Sequence, residues 1–161
     1  MTTPAPVLLT DIGWRYLQTQ LDGYASALAL LEQRRDQDPT DVQDTGDESI
    51  RIEQHDDATQ VADRLAEVRQ WLDEAVALQP AEDGERIGLG STVRVRTEDG
   101  EEASYRIVHR AEVGATDHDI SVDAPVARAL LDQRAGSSVE VQTPDGAQRL
   151  SVLEVAPYRP A

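Results

Sequence analysis

The first half of the chain carries apolar residues at alternating steps of three and four, the spacing of one face of a helix. Two such seams occur. The first comprises Trp14, Leu17, Leu21, Tyr24, Leu28 and Leu31, and the second comprises Ala58, Val61, Leu65, Val68, Leu72, Ala75 and Leu78. Thr10 is predicted to cap the first helix and Pro80 to end the second. Because each stripe is narrow, the pattern favours an antiparallel coiled-coil hairpin over two sides of a globular bundle.

The second half of the chain changes to a period of two, which is typical of β-strands. Val93 and Val95 alternate with arginines. The segments TEDG at 97–100 and TPDG at 143–146 predict two hairpin turns. A short helix is predicted to begin at Pro125, since proline is favoured at the first helical position.

These patterns predict an α+β fold, with an N-terminal antiparallel coiled-coil hairpin followed by a small antiparallel sheet and one short helix. The predicted hairpin domain spans 1–79 and the predicted sheet domain spans 87–161. Residues 80–86 form the predicted linker, because Pro80 and Gly84 interrupt regular structure there.

Charge and composition exclude several functions. The 161 residues include 31 acids and 15 bases, a net charge of -16. This balance argues against binding to nucleic acid through a basic face, and against docking on an anionic membrane. The chain has no cysteine, which excludes disulfides and thiolate chemistry and is typical of a cytoplasmic protein. Every base is arginine, so Schiff-base catalysis by lysine is excluded.

Acidic residues concentrate between the two predicted helices. Residues 36–57 hold nine acids and one base, Arg51, a net charge of -8. A solvated loop is the common interpretation of such a segment. The alternative is a carboxylate-bearing tip for a divalent cation, because hard cations prefer oxygen ligands. Composition alone leaves both interpretations open.

Several short motifs recur in the order and spacing of a known family. They are LTDIG at 9–13, GSTVRV at 90–95, YRIV at 105–108, ISVDAPVARALL at 120–131 and VEVQTPDG at 139–146. Together they resemble the Gre family of bacterial transcription elongation factors, and the resemblance covers nearly the whole chain. It implies a coiled coil followed by an FKBP-like domain, in agreement with the two periods described above.

The resemblance also implies a partner. Gre factors bind RNA polymerase at the β′ rim beside the secondary channel and insert their hairpin into that channel. The implied docking loop here is Asp123, Ala124 and Pro125, although Asp123 could instead serve only as the cap of the short helix. We therefore expect a cytoplasmic, monomeric polymerase-binding factor that has no strong DNA binding of its own and no membrane association.

The FKBP-like fold suggests peptidyl-prolyl isomerase as an alternative activity. Such a pocket needs aromatic side chains around the proline ring, yet from residue 87 onward the only aromatic residues are Tyr105 and Tyr158. We therefore expect no enzymatic activity of its own, and any RNA cleavage would be carried out by the polymerase active site.

In the family, two acids at the hairpin tip help to hold Mg²⁺ that is shared with the polymerase active site. An ungapped register places them at Asp44 and Asp47, with the family's spacing of three retained. The second acid is Asp instead of the family's Glu. Glu48 stands where the family has Asn, and Arg51 stands where it has Tyr. These departures predict inhibition or tuning of the polymerase rather than stimulation of cleavage.

Alternatives to this interpretation of the tip remain. Pro39 lies where the family's first helix is still regular, and it would break or re-cap that helix. A shifted register, which pairs residues 46–47 with the family's first acidic position, would leave Ile50 at the second. A genuine cleavage factor and an acidic coiled-coil adaptor without a polymerase role are the two competing functions.

Two further sets of residues could bind a metal but are not predicted to do so. Asp117, His118 and Asp119 are adjacent, but no further ligand lies near them in the sequence, so they are predicted to form an exposed turn. His55 and His109 are isolated and are predicted to be structural or exposed.

Overall fold

The computed structural model describes residues 5–37 and 48–160, and side chains are described for 5–37 and 57–160. The elements are β1 (Val7–Leu9), α1 (Asp11–Gln37), α2 (Glu48–Glu74), β2 (Ala75–Ala77), β3 (Thr92–Thr97), β4 (Glu102–Val108), a 3₁₀ helix (Arg110–Glu112), β5 (Asp119–Ser121), α3 (Pro125–Leu130), β6 (Ser138–Thr143) and β7 (Gly146–Ala156). They divide into two compact units. The hairpin unit is Leu17–Glu74, and the sheet unit joins Met1–Tyr16 to Ala75–Ala161.

The hairpin unit consists of most of α1 together with α2. Every residue of the two predicted seams is buried or half-buried, whereas most of the other described positions of the two helices are exposed. Tyr24 of α1 and Val61 of α2 line the same groove, so the two helices pack side by side. This arrangement confirms the predicted helical hairpin.

The sequence predicted the start of the first helix correctly but placed the end of the second helix wrongly. Thr10 caps α1 as expected, since its hydroxyl oxygen accepts a hydrogen bond from the N–H of Gly13 at 3.0 Å. The second helix, however, ends at Glu74 and not at Pro80. Residues 75–77 leave the helix because they form β2, whose neighbour in the sheet is β1.

Strands β1 and β2 form a small parallel sheet in which Leu8 lies opposite Val76. The N–H of Leu78 extends the pairing by donating to the carbonyl of Leu9 at 2.8 Å. This pairing places the start of the chain in the sheet unit, whereas the predicted domain 1–79 grouped it with the hairpin.

The main sheet has five strands in the order β5-β4-β3-β7-β6. All neighbouring pairs are antiparallel except β4 and β5, which are parallel. Both predicted hairpin turns are present, and Gly100 and Gly146 adopt positive φ angles of 88° and 121° in them, a conformation that favours glycine. The short helix begins at Pro125 as predicted.

The hydrophobic core of the sheet unit lies between one face of the main sheet and α3. Its buried members are Ile87, Val93, Val95, Ile107, Ala127, Leu130, Val141, Leu150 and Val152. The α+β architecture therefore agrees with the sequence prediction. Among the described residues, no helix is both long and apolar enough to cross a membrane.

Candidate partner-binding surface

The predicted docking loop lies between β5 and α3, and backbone hydrogen bonds hold it in place. The N–H of Val122 donates to the carbonyl of Val108 at 2.8 Å, and the N–H of Ala124 donates to the carbonyl of Ser121 at 2.9 Å. The N–H of Asp123 donates to the hydroxyl of Ser121 at 3.2 Å. The backbone that carries the loop side chains is thus fixed by the neighbouring strands.

The three side chains of the loop have different surroundings. Asp123 and Pro125 are exposed, whereas Ala124 packs against the hydrophobic core. Ala124 also occupies the N-cap position of α3, where no side chain completes the cap. The alternative prediction that Asp123 caps this helix is therefore wrong. The loop therefore presents an exposed acid and an exposed proline on a fixed backbone.

His109 and Arg110 contribute to the electrostatics of this surface. The ring Nδ1 of His109 accepts a hydrogen bond from the N–H of Ala111 at 3.1 Å and so caps the 3₁₀ helix. Burial lowers the pKa of His109, and Arg110 lowers it further, while the carboxylate of Asp123 opposes this effect. His109 is therefore structural, as predicted, and uncharged at neutral pH. Asp123 and Arg110 are the acidic and the basic side chain beside it.

The sheet unit also contains a buried polar cluster, which comprises Thr10, Arg106, Glu112, Thr116 and Asp119. Glu112 Oε1 accepts hydrogen bonds from the N–H of Thr10 at 2.7 Å and from its hydroxyl at 2.6 Å. The same hydroxyl oxygen accepts from the N–H of Gly13 and from Arg106 Nη1, the latter at 3.1 Å. Thr10 thus uses its hydroxyl proton and both lone pairs.

The other half of the cluster is an ion pair. Arg106 Nε donates to Asp119 Oδ1 at 2.6 Å, and the Asp119 carboxylate also accepts from the N–H and the hydroxyl of Thr116. The Asp119 side chain has 0% exposure, so the prediction of an exposed turn is wrong for this residue. It is correct for Asp117 and His118. Asp119 is buried because its partner lies on the adjacent strand β4.

The two carboxylates of the cluster have opposite pKa shifts. Burial raises the pKa of Glu112, and its hydrogen bonds from Thr10 do not cancel this effect. Burial acts in the same direction on Asp119, but hydrogen bonds from Arg106 and Thr116 outweigh it and lower the pKa of that carboxyl group. Within the described residues, Glu112 Oε2 and Arg106 Nη2 are buried without a hydrogen-bond partner. The compensation for burial is therefore weaker at Glu112 than at Asp119.

A second contact joins the end of the sheet unit to the first turn of α1. The hydroxyl of Tyr158 accepts a hydrogen bond from the N–H of Asp11 at 3.2 Å and donates to Asp11 Oδ1 at 3.3 Å. The Tyr158 ring lies against Gly90, where an added Cβ atom would come within 2.7 Å of Tyr158 Cβ. Gly90 is therefore needed both for its positive φ of 82° and for this close approach.

Sequence reasoning did not identify the charged members of this cluster as partners of the helix start. Thr10 was predicted only as the cap of α1. Gly13 and Arg106 drew attention only as parts of family motifs, and Glu112 drew none. One local signal was available. Gly13 occupies the third position after the cap, where an acid would normally complete the capping interaction.

The predicted metal-binding residues Asp44 and Asp47 lie outside the described residues. Glu48 and Arg51 belong to the first turn of α2, in a segment whose side chains are also outside the described part, as is the side chain of His55. In the ranges whose side chains are described, no group of three or more His, Asp or Glu residues is placed to hold a metal ion. The assignments at the tip remain predictions.

Comparison with known proteins identifies the class to which this chain belongs. Residues 81–157 match the family described as "Transcription elongation factor, GreA/GreB, C-term". The chain is 32% identical over 116 residues to transcription elongation factor GreA of Anaeromyxobacter sp. (strain K). The matched region covers 69% of this chain and 70% of that protein. The chain therefore belongs to the GreA/GreB family of transcription elongation factors.

Two other relatives extend this comparison. GreA of Thermotoga neapolitana is 29% identical over 150 residues, or 92% of this chain and 96% of that protein. A solved structure titled "Structure of the transcription factor Gfh1" is 29% identical, covers 98% of this chain and 100% of that chain, and superposes with a TM-score of 0.45. The family assignment rests on the sequence matches.

Proposed function

We propose that this protein binds RNA polymerase through the loop at residues 123–125 and inhibits or tunes transcription. Family membership supports the polymerase as the partner, since the relatives are named transcription elongation factors. The observation that carries the proposal is the geometry of the loop, in which a hydrogen-bonded backbone presents Asp123 and Pro125 to solvent. The protein acts in the cytoplasm, as a monomer, and contributes no catalytic centre of its own.

The chemistry of the loop defines the partner surface it would fit. Asp123 is acidic, and the neighbouring His109 is uncharged at neutral pH. A complementary partner would place a basic side chain opposite Asp123 and an apolar side chain against Pro125. The β′ rim beside the secondary channel, which the family resemblance implies, is the proposed location of that surface.

The composition of the tip favours inhibition over stimulation of cleavage. Mg²⁺ requires oxygen ligands in near-octahedral geometry at about 2.0–2.1 Å, and Asp47 is one methylene shorter than the Glu of the family. Glu48 adds a negative charge where the family has a neutral amide, which repels other carboxylates in a confined channel. A tip of this kind would occupy the channel and hinder nucleotide entry. Any Mg²⁺ involved would be that of the polymerase.

Binding to purified RNA polymerase tests the docking loop. Asp123→Arg is expected to weaken binding by about tenfold or more, because it reverses one member of a close charge pair. Asp145→Arg is the matched control, because Asp145 is also exposed but lies in the β6–β7 turn. Equal binding by Asp123→Arg and the control would show that the loop is assigned wrongly. No binding by the wild-type protein would favour the adaptor function.

Transcription assays on stalled, backtracked complexes test the second part of the proposal. The wild-type protein is expected to slow elongation without releasing RNA fragments from the 3′ end. The opposite result would be efficient release of such fragments, abolished by Asp44→Ala and Asp47→Ala. That result would identify the protein as a genuine cleavage factor.

A further inference from the structure

The start of α1 has an incomplete capping box. In a complete capping box, the N-cap hydroxyl accepts from the N–H of the third helical residue, and an acid at that third position accepts from the N–H of the N-cap residue. Thr10 makes the first of these bonds. Gly13 occupies the third position and has no side chain to make the second. The buried N–H of Thr10 donates instead to Glu112 Oε1, at 2.7 Å.

Glu112 fills the space in which the missing side chain would lie. A Cβ atom added to Gly13 would come within 1.5 Å of Glu112 Oε1, 2.0 Å of its Cδ and 2.3 Å of its Cγ. We propose that Glu112 is the missing acid of the capping box, supplied from 102 residues further along the chain. It is thereby a positioning residue for α1.

Other residues of the sheet unit support this role. Arg106 donates to the Thr10 hydroxyl, which fixes the oxygen that caps Gly13. The hydroxyl of Tyr158 accepts from the N–H of Asp11, the first residue of the helix. The unpaired N–H groups of a helix start normally bond to nearby side chains or to water. Here two of the groups that satisfy the start of α1 come from after residue 110.

This inference deepens the proposed function and, in its functional part, rests on it. The helix α1 leads to the acidic segment, and its first turn is held by the same unit that carries the loop at 123–125. In this scheme Glu112 acts on the acidic segment only through α1.

Hydrogen exchange of the Thr10 amide, measured in the free full-length protein, tests the cap. Glu112→Ala is expected to speed exchange about fivefold or more, the size expected for the loss of a helix cap. Glu112→Gln keeps an acceptor oxygen and is expected to remain within about twofold of wild type. Glu98→Ala, at an exposed acid in the β3–β4 turn, is the control and should change nothing.

A second-site rescue separates capping from a general loss of packing. Gly13→Glu combined with Glu112→Ala returns an acid to the third helical position and is expected to restore slow exchange at Thr10. Gly13→Glu alone should destabilise the fold, because the new side chain collides with Glu112. If Glu112→Ala does not fold, the double variant must still be more stable than Gly13→Glu alone. Unchanged exchange in Glu112→Ala, or a double variant without rescue, overturns the inference.

The polymerase assay tests the functional part separately. Glu112→Ala is expected to bind polymerase like the wild type, but its effect on elongation should be about fivefold smaller. A change of about fivefold is at the lower end of the coupling typically found between two sites. An undiminished effect would overturn the functional role of the cap. Failure of the wild-type protein to bind polymerase would refute the proposed function, whereas the exchange result, obtained without polymerase, would still decide the role of Glu112.

Discussion

The two units of this protein bury their apolar side chains to very different extents. In the described part of the hairpin unit, Leu17 and Val68 are the buried apolar residues, and the rest of the seams is half-buried. The sheet unit encloses nine buried residues in one core. Two helices cover each other along a single stripe, whereas a sheet and a helix cover a whole face. Apolar burial therefore stabilises the sheet unit more strongly than the hairpin.

The largest expected effect comes from breaking the ion pair of the buried polar cluster. Arg106→Met would leave the fully buried carboxylate of Asp119 without its counter-charge and the Thr10 hydroxyl with one of its two donors removed. Removal of one partner of a buried pair typically costs about 3–5 kcal/mol, and we expect this loss in the free energy of unfolding measured with urea. Such a loss would show that the sheet unit depends on polar as well as apolar burial.

Arg134→Met is the control for this prediction. Arg134 pairs with Glu85 and Asp83 at the surface, where the arginine side chain is half exposed. Exposed pairs contribute about 0–1 kcal/mol, so the control should unfold close to wild type. Equal stability of the two variants would contradict the assignment of Arg106 as a buried anchor.

A matched pair of core substitutions tests the comparison of the two units directly. Ile107 is fully buried in the sheet core, so Ile107→Ala is expected to cost about 2–5 kcal/mol. Leu65 is half-buried on the hairpin seam, so Leu65→Ala is expected to cost roughly 1–2 kcal/mol because less apolar surface is lost. Thermal and urea unfolding of both variants provide the measurement. A larger cost at Leu65 would reverse the ranking of the two units.

The smallest effect is a dependence of stability on pH. The folded-state pKa of Glu112 is raised above its ordinary 4.5, so its contribution to stability is present below that pH and is lost as the pH rises through the raised value. Asp119 has the opposite sign, because its pKa is lowered below 3.8 and its contribution is lost as the pH falls. Between pH 4.5 and neutrality, wild type should therefore lose stability relative to Glu112→Gln. The free energy of unfolding in urea, measured against pH, tests this assignment. Parallel pH profiles for the two proteins would contradict it.

Sequence reasoning succeeded where the interactions join residues close together in the sequence, and it failed where they join distant residues. The seams, the turns at Gly100 and Gly146 and the short helix at Pro125 depend on spacing and turn chemistry within a few residues, and all of them were predicted. The end of α2 was misplaced because strand β2 exists only through its pairing with β1. That partner lies almost seventy positions earlier in the sequence, and no local pattern indicates it.

The candidate site shows the same division. The exposure of Asp123 and Pro125 follows from a polar loop before a helix, and the motif that surrounds them pointed to a docking role. The burial of Asp119 depends on Arg106 across a parallel strand pair, and that of Glu112 depends on Thr10. A buried carboxylate in a short, charged segment is not distinguishable by pattern from an exposed one. The acids at 44 and 47 lie outside the described residues and stay predictions.

The order of the elements has a consequence for the nascent chain. The first turn of α1 is synthesised well before its partner Tyr158, which is separated from Asp11 by 147 residues. At about 5–20 residues per second, this interval corresponds to roughly 7–30 s of synthesis. Strand β1, with its apolar Val7 and Leu9, has to wait for β2 during part of the same period. The start of α1 therefore reaches its final contacts only after Tyr158 has been synthesised.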